Sequence, residues 1–132
     1  MKYKQPKMKV LLTKEGYIFD IVCDFPNSNF NPKEFVGENW FVTFVEKNDR
    51  SMVFKHFKHL SKKLKREKFV VFAHDVMCVN DSHRFICFVL TNRTIDGITY
   101  IFAQGCEYSD LSNREINYLY KKNAIASRIK FP

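Results

Sequence analysis

Apolar residues follow two spacings along this chain. Between Phe69 and Cys106 they run almost unbroken, interrupted by Asn80-Asp81-Ser82 and by Asp96-Gly97. Residues of those types tolerate tight or left-handed backbone, so the stretch predicts three strands over 69–78, 83–91 and 98–106, joined by two turns. Between Asn48 and Lys68 the spacing lengthens. Val53, Phe57, Leu60 and Leu64 recur at i, i+4, i+7 and i+11, one narrow stripe of a helix that turns about 100° per residue. Lys55, Lys58, Lys62, Lys65 and Arg66 fall on the opposite side. Asn48 or Asp49 suits the N-cap, and the cations crowd the last turn, where the helix dipole favours them.

The flanks give weaker patterns. Apolar runs over 10–13 and 17–23, separated by Lys14-Glu15-Gly16, predict strand, turn and strand, with Gly16 supplying the turn backbone. A polar loop over 24–32 leads into Pro32-Lys33-Glu34-Phe35, a helical turn with Asn31 as N-cap and Pro32 at its first position. Gly37 ends it, and Trp40 to Val45 is a short apolar piece, helical or extended. Ser112-Asn113-Arg114-Glu115 has the capping-box pattern and predicts a helix from about Asn113 to Arg128. Residues 1–9 are a basic lead-in, and the chain contains no repeat or second domain.

Side chains alternate across a strand, so register decides what faces what. With turns centred near Asn80 and near Thr94–Ile95, odd positions share one face: Ala73, Asp75, Phe85, Cys87, Ile101, Ala103 and Gly105. Even positions share the other: Phe72, His74, Ile86, Phe88, Tyr100, Phe102 and Gln104. Both faces are largely apolar, which predicts that protein covers both. The odd face is rich in small residues, leaving room for large side chains or a ligand.

Composition narrows the class. A hydrophobic content of 45% with only four Gly and four Pro argues for a folded domain over disorder. No apolar run approaches the length of a membrane span, and residues 1–9 lack the apolar stretch of a signal peptide, so the cytoplasm is the expected location. The four cysteines form no C-x-x-C pair and lie in strand-like runs, which reads as buried reduced thiols and not as a metal centre. The net charge of +8 is largely explained by the solvated side of the long helix. No aromatic residues interleave on that basic side to stack bases, so nucleic-acid binding along Lys55 to Lys68 stands as the alternative function.

Several segments, taken in order, resemble those of PAS domains, the sensory and interaction modules of signalling proteins. Lys14-Glu15-Gly16-Tyr17-Ile18 is similar to the family's first hairpin, and Glu34-Phe35-Val36-Gly37-Glu38-Asn39-Trp40 to the segment on its short helices. Asn48-Asp49-Arg50 resembles the opening of its long helix, Asp96-Gly97 its last hairpin turn, and Glu107-Tyr108-Ser109 the place of its Asp-Ile-Thr. The likeness covers residues 10–110 and leaves 111–132 as a C-terminal signalling or linker helix. It implies an α+β fold, a five-stranded antiparallel sheet in order 2-1-5-4-3 with helices over one face and a C-terminal helix.

By the family pattern the odd face points inward. The implied ligand cavity is then lined by Trp40, Phe44, Val53, Phe57, Asp75, Phe85, Cys87 and Ala103, with Asp75 able to orient a polar ligand. The even-face aromatics Phe72, Phe88, Tyr100 and Phe102 would pack outside, against the final helix or in a homodimer. The cofactor is left unknown. Val36-Gly37-Glu38-Asn39-Trp40-Phe41 lacks the reactive cysteine of a LOV-type flavin sensor, and Gly105 stands where that subfamily keeps a glutamine. A haem would need an axial histidine, but His56 and His59 lie off the apolar stripe and His74 on the expected outer face. No catalytic set or metal motif is present. The expected role is non-enzymatic: a small ligand or partner alters packing, and the C-terminal helix relays the change to an output module such as a histidine kinase or diguanylate cyclase.

Overall fold

The computed structural model describes residues 7–23, 31–77 and 83–117. Five antiparallel strands, β1 (Met8–Leu12), β2 (Ile18–Cys23), β3 (Val70–Met77), β4 (His83–Ile95) and β5 (Ile98–Glu107), form one sheet in the order β2-β1-β5-β4-β3. Between β2 and β3 come a 3-10 turn (Pro32–Phe35), helix α1 (Trp40–Thr43), a second 3-10 turn (Lys47–Asp49) and helix α2 (Arg50–Lys63). A third 3-10 turn (Tyr108–Asp110) leads to helix α3, described over 113–117. The expected continuation of α3 to Arg128 lies outside the described residues.

Local chemistry accounts for the helix ends. The Asn39 side chain caps α1 by accepting from the Phe41 amide at 3.0 Å. At the start of α3 the capping box closes as expected: the Glu115 amide donates to Ser112 Oγ at 3.1 Å, and the Ser112 amide donates to Glu115 Oε1 at 2.9 Å. Asp49 occupies the N-cap of α2 without a side-chain cap bond. That helix stops at Lys63, short of the expected Lys68, and the Asn92 side-chain amide of β4 donates to the Leu64 carbonyl at 3.1 Å, satisfying one of its terminal acceptors. The apolar stripe of Val53, Phe57, Leu60 and Leu64 is buried, as its spacing predicts.

The β3–β4 register matches expectation, with Phe72 opposite Phe88, Ala73 opposite Cys87 and Asp75 opposite Phe85. The β4–β5 register does not. Asp96 and Gly97 both have positive φ, 52° and 79°, so they form a two-residue turn of the primed kind and pair Ile95 with Ile98. Strand β4 therefore runs four residues beyond Thr91, and even positions of β4 oppose odd positions of β5.

The inner face, under α1 and α2, thus carries Val70, Phe72, His74 and Val76, then Ile86, Phe88 and Leu90, then Ile101 and Ala103. This corrects the expected face for β3 and β4. Phe72 and Phe88, expected outside, are core residues: the Phe57 ring of α2 lies 5.7 Å from that of Phe72. Phe88 packs over the bare backbone of Gly105, where a Cβ would stand 2.7 Å from its Cε1 atom. Asp75, Phe85 and Cys87, expected inside, lie on the outer face. The small outer side chains Ala73 and Cys87 give Tyr108, Leu111 and Ile116 room to pack there, forming a second core with Val71 and Cys106.

Cover on the outer face is partial. It reaches the β3–β4 side, while on the β1–β2 side Phe19 and Val22 remain 48% and 53% exposed.

Candidate functional site

Between the sheet and the helices, aromatic rings surround one polar pair. The Trp40 indole N–H donates to His74 Nε2 at 3.1 Å. An indole nitrogen can only donate, so Nε2 must be the unprotonated nitrogen, and the proton on Nδ1 goes to the Asp75 carbonyl at 2.9 Å. Burial pushes the His74 pKa down to about 4, with nearby His56 acting in the same direction; the hydrogen bond to the Asp75 carbonyl and the Asp75 charge oppose it. His74 is therefore a neutral imidazole at physiological pH, 1% exposed, with both ring nitrogens engaged.

The rings around this pair come from four elements. His74 stacks on Phe88 with centroids 5.6 Å apart and planes 25° apart, and lies 5.0 Å from Phe72. Trp40 meets Phe88 edge-on at 5.6 Å and Phe44 at 4.6 Å. Phe57 bridges Phe41 at 5.0 Å and Phe72. Edge-to-face and tilted pairs of this kind add specific geometry to plain burial.

Of the expected ligand-binding residues, Trp40, Phe44, Val53, Phe57 and Ala103 come together in this core. Asp75 does not: its carboxylate turns outward to His83 Nδ1 at 2.8 Å and is half exposed. Phe85 packs against Tyr108 at 5.6 Å on the outer face. Cys87 is buried there, where desolvation first, and the neighbouring Cys106 second, push its thiol pKa up to about 12. His74 is the central residue missed by reading the sequence. The signal was present, because it shares strand parity with Phe72 and Val76, and an apolar run that keeps one histidine on its buried side calls for a partner.

On α2, His56 lies half buried with its ring 5.6 Å from that of Phe72, while His59 is exposed. No group of three or more His, Cys, Asp or Glu side chains among the described residues is placed to hold a metal ion. No helix among them is long and apolar enough to cross a membrane.

No family model matches the sequence, and no curated protein matches it. Solved structures do resemble the fold. The PAS domain of the Cronobacter turicensis quorum-sensing receptor RpfR, in complex with C12:0, superposes with a TM-score of 0.56 at 14% identity, over 82% of this chain and 98% of that one. The PAS-B domain of Drosophila melanogaster Cycle, with bound ethylene glycol, gives 0.56 at 16% identity, over 76% and 99%. The PAS domain of an HTR-like protein from Haloarcula marismortui gives 0.60 at 16% identity, over 77% and 81%. Strand order, helix placement and these superpositions agree: the chain has the PAS fold.

Proposed function

We propose that this chain is a sensory and interaction domain that responds to a small, uncharged ligand lodged between the inner face of the sheet and helices α1 and α2. The observation that carries the reading is the buried Trp40–His74 hydrogen bond inside an otherwise apolar cluster. Ligand sites of this kind combine apolar walls with a few fixed polar groups. A hydroxyl or carbonyl entering there exchanges hydrogen bonds with the indole N–H and with Nε2, while Phe44, Val53, Phe57 and Ala103 contact its apolar body. Because neither the Trp40 indole nor the His74 imidazole carries a charge, a charged ligand gains no ion pair from them against its desolvation cost. The solved PAS domains with bound C12:0 or ethylene glycol lend support, since both hold small molecules.

Displacing these side chains moves α2 against β3. The change then passes through β5 and the Tyr108–Asp110 turn to α3, which relays it to an output module of the histidine kinase or diguanylate cyclase kind, in the cytoplasm. Homodimerisation through the outer aromatics loses ground. Of its four expected residues, Phe72 and Phe88 are in the core, the Phe19 ring lies tilted against Tyr100 at 4.5 Å, and Arg93 covers Phe102.

Native mass spectrometry beside an absorbance spectrum tests the reading. A bound mass lost on Trp40→Phe or His74→Phe supports it. A bare protein that also ignores a panel of small alcohols and amides, with Tm unmoved, overturns the ligand part. An output partner indifferent to deletion of the chain from Asn113 onward overturns the relay.

A further inference from the structure

We propose a second site on the opposite side of the sheet: a groove between Lys9 and Arg93 that takes a small amphipathic organic anion. The groove has a volume of about 410 Å³ and spans β2, β1, β5 and β4, within the range of small-molecule sites. Its floor is apolar, built from Leu11, Val22 and Phe102. Cross-strand pairing places Lys9 opposite both Val22 and Gln104, and Leu11 opposite both Asp20 and Phe102, so the apolar floor and its polar rim are set by register.

The two cations are the informative part. The Arg93 guanidinium lies 3.9 Å from the centroid of the Phe102 ring. Stacking uses the faces of a guanidinium and leaves its in-plane N–H donors for an oxyanion. Lys9 is exposed on the other side of the groove. Among the described residues neither cation has a carboxylate partner, whereas Lys33 pairs with Asp20 and Arg84 with Glu107. Asp20 also borders the groove; Lys33 Nζ pairs with its carboxylate at 2.7 Å, which lowers its pKa and keeps it ionised, while the Lys33 charge offsets its own.

Charge then selects the occupant. A second copy of this chain would bring another net charge of +8 to a basic face. The chain's own residues 118–132 carry Lys121, Lys122, Arg128 and Lys130 and no Asp or Glu. Both are repelled by Lys9 and Arg93. A neutral apolar molecule would leave the two cations unused, and an inorganic anion would leave the half-exposed Val22 wet. A carboxylate, sulfonate or phosphate monoester on a short aryl or alkyl body meets both requirements.

The test is an amide-resolved NMR titration of the full chain with 4-phenylbutanoate, its neutral isostere 4-phenylbutan-1-ol and the cation 4-phenylbutylammonium. The carboxylate is expected to shift the amides of Leu11, Val22, Arg93 and Phe102 saturably, and the alcohol to bind about fivefold more weakly. Arg93→Gln and Lys9→Gln should each weaken carboxylate binding about fivefold; Lys9 is exposed, so its variant keeps the test independent of any disturbance to the Arg93–Phe102 stack. The proposal is overturned by the absence of saturable shifts, by shifts confined to the Trp40–His74 core, by equal binding of alcohol or ammonium, or by unchanged affinity in the Lys9 variant. Shifts of the same amides with protein concentration alone would also overturn it, by assigning the face to a second copy.

Discussion

The Trp40 indole and the His74 imidazole, 34 residues apart in the chain, share a hydrogen bond of 3.1 Å in the middle of the core. Trp40→Phe keeps the aromatic volume but strips Nε2 of its donor. Leaving one buried acceptor unsatisfied should cost about 2 kcal/mol in urea unfolding at pH 7. An unchanged midpoint would show that water or another donor takes the place of the indole.

The same imidazole gives stability a pH dependence of definite sign. Its folded pKa of about 4 lies below the ordinary 6.5, so between those values the unfolded chain binds the proton and the folded one does not. The contribution is fully present above pH 6.5 and is lost as pH falls toward 4, on the order of 3 kcal/mol in all. His74→Phe should flatten this part of the profile relative to the parent chain. Parallel profiles for the two proteins between pH 7 and 4 would remove the assignment.

Gly105 is held bare by packing. A methyl group there would stand 2.7 Å from both Ile86 Cγ2 and Phe88 Cε1. Gly105→Ala should destabilise by about 2 kcal/mol, and pairing it with Phe88→Leu should recover part of the loss, because the two sites share one space. Strictly additive effects in a double-mutant cycle would contradict the contact.

At the β4–β5 turn the constraint is backbone conformation alone. Gly97 has φ of +79°, and a methyl group added there would meet nothing within 4 Å. Gly97→Ala should therefore cost about 1 kcal/mol. Asp96 sits at φ 52°, a conformation asparagine shares, so Asp96→Asn should be nearly neutral. A Gly97→Ala chain as stable as the parent would argue against the primed turn.

Cys87 should be inert. With its pKa at about 12 and its side chain buried, it offers almost no thiolate at pH 8. Brief iodoacetamide treatment of the native protein should label the half-buried Cys23 and spare Cys87, with protection lost in urea. Equal labelling of the two in the native state would mean that the α3 side of the sheet opens readily.

These particulars show which parts of the molecule the sequence made legible. Element order, the α2 stripe, the capping box at Ser112 and the β3–β4 register all follow from local patterns of spacing and turn chemistry. The face assignment did not follow, because both faces of β3 and β4 are apolar and alternation cannot distinguish them. It depends on which large ring finds space, and Phe88 finds it over Gly105, a relation between separate strands. The β4–β5 register was more accessible. Asp96-Gly97 is itself a two-residue hairpin signal, obscured by the polar run Thr91-Asn92-Arg93-Thr94, which continues the strand instead of forming a loop. The Trp40–His74 pair escaped notice for the same reason: with β3 turned over, His74 and not Asp75 faces the core.

The two outermost strands also limit how these molecules can meet. On β2 the Ile18 amide and carbonyl are occupied by Glu38 and Gly37, and the pairing with β1 slips between Leu11 and Leu12. On β3 the Met77 amide is taken by the Phe44 carbonyl. Each margin of the sheet therefore has part of its hydrogen-bonding capacity filled by the chain's own short helices and their flanks, and β2 is further bent by its irregularity. Strand-by-strand growth of one sheet onto another, the usual route from an open β edge to a fibre, meets an obstruction at both ends.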